Sequence, residues 1–575
     1  MPPPQGRLDP LSFRSRSGAG GGGRPWALGP VPASVPEGQT PLWARGGRQR
    51  ARGLVAERPE AHPRRCGVGR EVSSEGLSCG VSEWRRAETS CLARGLEFSL
   101  RYTFAANTVS VVVLLADGAR VDSMSTAIDS CAAPALARLR DEGGLHAVTT
   151  CFPSVTGPAY APFLMGRFPG AIGLPGLRWY DRAHTACSFP DFSRSYVGYQ
   201  MARLDTDLDP AAPTVFELSP TCLGALSVIG RGLRTRDRIG RLTFGSATRA
   251  AWTHFRGNVG GWLDIDRRVA RSLARQIRER RPEFAFGALT GIDKASHAVG
   301  HEGALVREAM RIVDDTVAAI RADAEADGRW RDMHLWVTSD HGHSAVRNHD
   351  DLAASVERSG FRTISHPWVY RARGQVAVMV SGNAMAHLYL DLARPDRSFW
   401  PSLGRTWADF ADALVDRPSV DLVILPQIDG AIVRAARRGH AVVSMTPGRL
   451  SYRCVGGDPL GIGRELDRVP LEAAYDATIE TDYPDSVVQI AALATAPRSG
   501  DIILSAARDW DFRARYEPIR HVSSHGALHR DHMMVPLLMN RPYPKAPRRT
   551  TDVMPSALTA LGRPVPPGLD GTSFV

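Results

Sequence analysis

Residues 109–118 read VSVVVLLADG, a continuous apolar run that ends in an Asp-Gly pair. Such a run is typical of a strand buried on both faces of a parallel sheet, with a polar residue at its carboxyl end. The same pattern recurs in FAFGALTGID at 284–293 and in MHLWVTSDHG at 333–342. In open parallel sheets, ligands bind beyond the carboxyl ends of the strands. The three runs therefore predict one sheet edge that collects three carboxylates.

Stretches with the apolar spacing of helices lie between these runs, at 134–144, 266–281 and 304–326. This alternation predicts an α/β fold with a mostly parallel central sheet and helices on both faces. Residues 365–500 break the rhythm, which returns with GDIILSAARDW and MMVPLLMN before a closing helix. We expect four parts along the chain: a disordered or wrongly started segment at 1–105, the first part of the α/β core at 106–364, a cap or insertion at 365–500, and the C-terminal part of the core at 501–575.

The formal net charge of +11 is concentrated near the N-terminus, where residues 1–105 hold 16 Arg, 9 acidic residues and no Lys. Because this segment has no apolar periodicity, its charge indicates a disordered tail, and we expect no nucleic-acid partner. The sequence has no run of about 18 apolar residues, so we expect no membrane span. The eight cysteines form no CxxC pair, and no apolar segment of a secretory signal is present. We therefore expect a cytoplasmic protein with reduced thiols.

Seven polar residues at or near the ends of the apolar runs form the candidate site. They comprise one hydroxyl, three carboxylates and three imidazoles: Thr156, Asp117, Asp293, Asp340, His297, His341 and His525. Oxygen and nitrogen donors without thiolates suit Zn²⁺ or Mn²⁺. Two such ions about 4 Å apart can clamp the attacking and leaving oxygens of a phosphoryl transfer. Each residue alone has a plainer interpretation as a turn, cap or solvated residue, and it is the joint pattern that indicates this chemistry.

The order and spacing of these residues resemble the type I phosphodiesterase / nucleotide pyrophosphatase branch of the alkaline phosphatase superfamily. The similarity extends over residues 107–575 and is weakest at 180–280 and 365–500. Five segments carry it. CFPSVTGPAYAPFLMGRFPG at 151–170 resembles the nucleophile loop, GIDKASHAVGHE at 291–302 the Asp-x-x-x-His motif, and TSDHGHS at 338–344 the Asp-His-Gly motif. SSHGALHRDHMMVPLL at 523–538 resembles the late His-Gly motif, and TTDVMPSALTALGRPVPPGLDG at 550–571 the closing helix.

The resemblance implies a division of labour among the seven residues. One divalent ion would be held by Asp117, Thr156, Asp340 and His341, and the other by Asp293, His297 and His525. Thr156 would form a covalent phospho-enzyme that water then hydrolyses. The substrate would be a small phosphoester, and the sequence leaves the oligomeric state open.

Two features distinguish the chain, one from sulfatases and one from the usual pattern of the phosphodiesterase family. Cys151 begins a segment similar to the Cys-x-Pro-Ser motif of sulfatases, but Val155 stands where their Arg is expected, so a sulfatase is not favoured. The phosphodiesterase family often has an Asn three residues after the Thr, where this chain has Ala159. A missing donor to a phosphoryl oxygen can cost about 3 kcal/mol in the transition state. Either another group replaces that donor, or the enzyme is slow, or the substrate differs. Lys294 and Arg120 adjoin ligand residues and are the candidates to supply a positive charge from another loop.

We expect hydrolysis of phosphodiesters or pyrophosphates. No Arg or Lys follows Thr156 before Arg167 to balance the second charge of a monoester dianion. The alternatives are a phosphomonoesterase or phosphoryl transferase on the same metal site and, from another class, a non-catalytic binding protein that retains the fold. The complete set of candidate ligands favours an enzyme over the binding protein.

Overall fold

The three apolar runs lie side by side in one sheet. The structure, a computed structural model, describes residues 109–182, 193–240, 258–366, 374–513 and 521–575. The predicted N-terminal tail lies outside these residues. Within them, the first sheet has seven strands, in spatial order Leu145–Thr149, Met534–Met539, Met333–Thr338, Ser110–Ala116, Phe284–Leu289, Cys222–Ala225 and Arg238–Ile239.

Parallel pairing brings the ends of the predicted runs together. The strand Ser110–Ala116 lies between Phe284–Leu289 and Met333–Thr338, and it pairs in parallel with both. The strand Met534–Met539 runs antiparallel to its neighbours, so the sheet is mostly but not wholly parallel. The carboxyl ends of the three central strands therefore meet at one edge.

Helices cover both faces of this sheet, as the sequence predicts. In the central strand, Val111, Val113 and Leu115 belong to one hydrophobic core, and the alternate residues belong to a second core on the opposite face. The main helices in contact with these cores are Val121–Asp129, Pro134–Gly143, Ala161–Met165, Val259–Arg280, Gly291–Val299, Ala304–Ala326 and Val553–Ala560. The predicted α/β fold with a mostly parallel sheet is confirmed.

A second sheet packs against two further hydrophobic cores and shares the first core through Ala377, Met379 and Tyr389. Among the described residues it has nine strands, in spatial order Thr363–Ile364, Val376–Ser381, Met385–Leu390, Ile502–Ala506, Val420–Gln427, Gly430–Ala435, Gly439–Thr446, Arg449–Cys454 and Leu466–Pro470. Helices Leu352–Arg358, Gly404–Val415, Leu471–Thr478 and Ser486–Ala494 accompany it.

One strand of the second sheet differs from the sequence prediction. The rhythm of the sequence assigns GDIILSAARDW to the first sheet, yet Ile502–Ala506 pairs antiparallel with Met385–Leu390 and with Val420–Gln427. All five of its residues are buried, so its apolar run fits the centre of either sheet. The division of the chain at 365–500 remains a prediction. Within the described part of the chain, no helix is both long enough and apolar enough to cross a membrane.

Candidate metal centre

The carboxyl edge of the first sheet collects the predicted polar residues. Asp117 directly follows the central strand, and Asp340 and His341 follow a neighbouring strand after a single residue. Two loops bring Thr156 and His525 to the same edge, because Thr156 contacts Asp117 and His525 stacks on His341 with ring centroids 3.6 Å apart. The structure therefore brings residues far apart in sequence into one site.

The helix Gly291–Val299 carries Asp293 and His297 one turn apart, so both side chains lie on one helical face. Its first turn is held by the buried carboxylate of Asp266, which accepts the backbone N–H of Gly291 at 2.6 Å and that of the preceding residue at 3.2 Å. Burial raises the pKa of Asp266 to about 7, against the opposing effect of these two hydrogen bonds. Asp266 thus fixes the start of the helix that supplies two site residues.

The first group of candidate ligands centres on Asp293. Its Oδ1 lies 3.2 Å from Nε2 of His297, 3.1 Å from Nε2 of His343 and 3.5 Å from Nε2 of His525. One ligand atom from each of these four residues lies within 4.8 Å of the others. A carboxylate and three imidazoles form a donor set that suits Zn²⁺.

The tautomers of two of these histidines support cation binding. Nδ1 of His297 lies 2.9 Å from the carbonyl oxygen of Ser523, and Nδ1 of His525 lies 2.9 Å from that of Ser154. A carbonyl oxygen only accepts, so each Nδ1 carries a proton, and in the neutral ring each Nε2 has a lone pair available to a cation. The Nε2 atoms of both rings lie within 3.5 Å of Oδ1 of Asp293, which is the arrangement of ligand atoms that a divalent cation satisfies.

The second group surrounds the hydroxyl of Thr156. Its Oγ1 lies 3.0 Å from Nε2 of His341 and donates to Oδ1 of Asp117 at 3.3 Å. Ligand atoms of Asp117, His341 and Asp293 lie within 4.8 Å of one another. Oδ2 of Asp340 is buried and has no hydrogen-bond partner among the described residues. An orphaned carboxylate oxygen beside these groups also fits a cation.

Burial and neighbouring charges shift the pKa values of two site carboxylates in opposite directions. Burial, and then the charge of Asp340, raises the pKa of Asp117 well above its ordinary value. Burial also acts to raise the pKa of Asp293, but the charges of Lys294 and His297 outweigh it and leave that pKa well below its ordinary value. Three buried carboxylates therefore share a small volume, which is the environment that divalent cations stabilise.

The loop that carries Thr156 has two aliphatic hydroxyls, and of these only that of Thr156 contacts the second group. The hydroxyl of Ser154 instead donates to the carbonyl oxygen of Ala527 at 3.1 Å. Ala159 is fully buried and has no side-chain donor. The loop therefore offers Thr156 as its candidate nucleophile.

Lys294 and Arg120, the two basic side chains predicted to serve the site, differ in position. Nζ of Lys294 lies 2.7 Å from Oδ2 of Asp293, beside the first group. Arg120 donates instead to the carbonyl oxygen of His343 and to the carboxylate of Asp122. Lys294 is therefore the candidate that contacts the site directly, and Arg120 ties together the loops behind it.

Sequence reasoning missed His343 and the contribution of the second sheet. His343 follows His341 by two residues in TSDHGHS, which is the signal that marks it. The turn between strands Val376–Ser381 and Met385–Leu390 packs directly on the site. Gly382 in this turn has a φ of +60°, and a Cβ added to it would lie 2.3 Å from Cγ1 of Val155. The second sheet therefore contacts the loop that carries Thr156.

A mostly parallel sheet whose carboxyl edge gathers carboxylates and imidazoles around the hydroxyl of Thr156 suits metal-assisted chemistry on a phosphoester. The sequence model for type I phosphodiesterase / nucleotide pyrophosphatase matches residues 111–528, and the chain belongs to this family. The predicted family resemblance and enzyme class are thereby confirmed.

Solved structures that the chain matches include a phosphonoacetate hydrolase and an ectonucleotide pyrophosphatase. The phosphonoacetate hydrolase from Sinorhizobium meliloti 1021, in complex with phosphonoformate, is 17% identical and covers 79% of this chain and 96% of its own, with a TM-score of 0.48. Human ectonucleotide pyrophosphatase / phosphodiesterase 5 is 14% identical and covers 80% of this chain and 97% of its own, with a TM-score of 0.49. No curated protein matches the sequence.

Proposed function

We propose that this protein hydrolyses phosphodiester or pyrophosphate bonds of small molecules at a two-metal site, with Thr156 as the nucleophile. The observation that carries the proposal is the position of the Thr156 hydroxyl, 3.0 Å from Nε2 of His341 and 3.3 Å from Oδ1 of Asp117. Thr156 is half-buried, whereas Asp117 and His341 are fully buried. A substrate can therefore approach the hydroxyl from solvent while its partners stay fixed behind it.

The donor sets suit two divalent ions, Zn²⁺ or Mn²⁺. When bound, the ions would stabilise the negative charge that develops on the attacking and leaving oxygens. We assign Asp117, Thr156, Asp340 and His341 to one ion and Asp293, His297 and His525 to the other, with His343 as a further candidate beside Asp293.

The chain's own residues define the covalent steps. Oγ of Thr156 bonds to phosphorus while the bond between phosphorus and the leaving-group oxygen breaks, which leaves a phospho-threonine. The hydroxyl of Thr156 donates to Oδ1 of Asp117, which is placed to receive its proton. The proton that Asp117 receives passes to the departing oxygen of the leaving group. Water then bonds to phosphorus, the bond to Oγ1 breaks and one proton of the water goes to Oγ1, which restores the threonine and releases the phosphate product.

The surroundings of Thr156 favour a singly charged phosphoryl group. Ala159 provides no donor, and Arg120 is engaged by His343 and Asp122. Enzymes that prefer monoester dianions commonly set cations or further donors against the extra charge. We therefore infer a preference for diesters or pyrophosphates over monoesters.

A phosphomonoesterase or phosphoryl transferase is the second candidate. Lys294 favours it, since its ammonium contacts Asp293 and lies at the margin of the site with a third of its side chain exposed. Movement of this ammonium toward substrate would supply the missing positive charge. The test compares kcat/KM for a nitrophenyl diester and a nitrophenyl monoester with Zn²⁺ or Mn²⁺ at one pH. We expect the diester to react faster, and a clear monoester preference would establish the second candidate.

The nucleophile is tested in parallel by substitution. Thr156→Ala should lower kcat by about 10³-fold or more, because the attacking oxygen is lost. Thr156→Ser should retain measurable turnover, because the hydroxyl remains. Ser154→Ala is the matched control, since its hydroxyl lies in the same loop but faces Ala527. Wild-type turnover in Thr156→Ala would exclude the covalent mechanism.

A further inference from the structure

Tyr160 lies four residues after Thr156 and is fully buried. Its hydroxyl donates to Oδ2 of Asp117 at 3.2 Å. Its ring packs edge-on against Phe286 of the first sheet, with ring centroids 5.5 Å apart. The hydroxyl therefore reaches the site from the hydrophobic core.

The two oxygens of Asp117 have different partners. Oδ1 accepts from the hydroxyl of Thr156 at 3.3 Å and lies 3.5 Å from Nε2 of His341. Oδ2 accepts from Tyr160. A carboxylate held by its second oxygen cannot turn about its Cβ–Cγ bond without breaking that hydrogen bond. The hydroxyl of Tyr160 therefore keeps Oδ1 directed at Thr156.

The local chain links these two contacts mechanically. Thr156 is followed by Gly157, whose φ of +98° turns the chain into the short helical segment Pro158–Tyr160. One segment thus supplies both the hydroxyl at Oδ1 of Asp117 and the hydroxyl at Oδ2. A shift of the segment would change both contacts together.

We propose that Tyr160 is a positioning residue. By holding Oδ2 of Asp117, it leaves Oδ1 directed toward Thr156 and toward the metal ion of that group. The inference rests on the proposed function. Outer hydrogen-bond partners of metal ligands commonly contribute about 10–100-fold to metal affinity. A tyrosine that only filled the core would contribute to folding stability but not to the affinity of this site for metal.

The test is Tyr160→Phe, which removes one hydroxyl and keeps the ring in the core. Cobalt(II) affinity is measured by calorimetric titration in an Asp293→Ala background, where the other group lacks its central carboxylate. We expect the affinity to fall about 10–100-fold. In the otherwise unmodified chain, kcat should fall while KM stays within about twofold, because substrate binding does not use this hydroxyl.

Tyr196→Phe is the matched control. Tyr196 is also a buried tyrosine, and its hydroxyl donates to a carboxylate, Oδ2 of Asp207 at 3.0 Å. We expect this variant to bind cobalt like its parent, even where its thermal midpoint falls as much as that of Tyr160→Phe. Equal cobalt affinity in Tyr160→Phe and its parent would overturn the inference while the proposed function stands. A wild-type chain that binds no divalent metal would overturn both.

Discussion

At the scale of single residues, His343 places a third imidazole beside Asp293. It is fully buried, and burial lowers its pKa to about 3, so its ring is neutral at neutral pH. Its Nε2 lies 3.1 Å from Oδ1 of Asp293 and its Nδ1 lies 3.2 Å from Oγ of Ser523. His343 therefore has two alternative roles in this group: it binds the metal ion directly, or it holds the carboxylate of Asp293 that binds the ion.

We predict that His343→Ala lowers the affinity of the Asp293 group for Zn²⁺ by about tenfold or more. His343→Gln separates the two roles, because an amide can still donate to Asp293 but is a poor zinc ligand. His349→Ala is the control, since this histidine lies in the strand that follows and pairs with Asp511. Zinc titration monitored by competition with a chromogenic chelator provides the measurement. Unchanged affinity in His343→Ala would contradict the prediction.

The sequence predicts this site unevenly, and the reason is physical. Asp117, Asp340 and His341 come straight after apolar strands, so their place at the sheet edge follows from periodicity. Periodicity does not distinguish His525 from the neighbouring histidines His529 and His532. All three are buried in the structure, so burial does not distinguish them either. Its selection depended on the family resemblance, because contacts between distant loops leave no local pattern in the sequence.

At the scale of elements, the helix Gly291–Val299 depends on Asp266 from the helix Val259–Arg280. The side chain acts as a cap supplied by another element, which aligns the first turn that precedes Asp293. Burial raises the pKa of Asp266 to about 7. The folded chain therefore keeps this proton at pH values where the unfolded chain, with an ordinary pKa near 4, has released it.

We predict a pH-dependent difference in folding stability between wild type and Asp266→Asn. The folded-state pKa is raised, so the free energy of unfolding of wild type should fall relative to the variant as pH rises from about 4 to 7. The slope should be about 1.4 kcal/mol per pH unit and should vanish above pH 7. The lost acceptor adds a constant offset. Denaturant unfolding at pH 5, 6 and 8 measures the slope, and parallel profiles would show that Asp266 is ionised in the folded chain.

The elements themselves divide into predictable and unpredictable ones. The strands Ser110–Ala116, Phe284–Leu289 and Met333–Thr338 are buried on both faces, so a continuous apolar run identifies them. Ile502–Ala506 is equally buried, yet it belongs to the second sheet. An apolar run fixes burial but not which partner strand is chosen, because pairing is decided by the surrounding chain.

At the scale of the whole molecule, every residue of the candidate site lies within 117–525, inside the span that matches the family model. Residues 1–105 contribute most of the net positive charge but no candidate ligand. The activity proposed for the chain thus needs only the α/β core and the second sheet. The predicted tail has no assigned part in the chemistry.

We predict that a chain starting at Phe104 keeps the metal content and kcat/KM of the full-length protein. The shorter chain lacks the Arg-rich segment, so a polyanionic resin should retain it less strongly than the full-length protein, because most of the excess positive charge is lost. Metal analysis and kinetics on both proteins make the comparison. Loss of either metal or turnover in the shorter chain would assign the tail to the functional unit.

The packing of Gly382 against Val155 limits how this enzyme can be re-engineered. A Cβ at position 382 would also approach the carbonyl oxygen of His525 to 2.9 Å, so the turn fits between two segments of the site with no spare room. A second sheet transplanted from a relative would bring its own turn against this loop. Such a chimera must exchange the turn, the threonine loop and the late histidine segment as one unit. New substrate specificities should therefore arise more readily from substitutions within the second sheet than from replacement of the whole sheet.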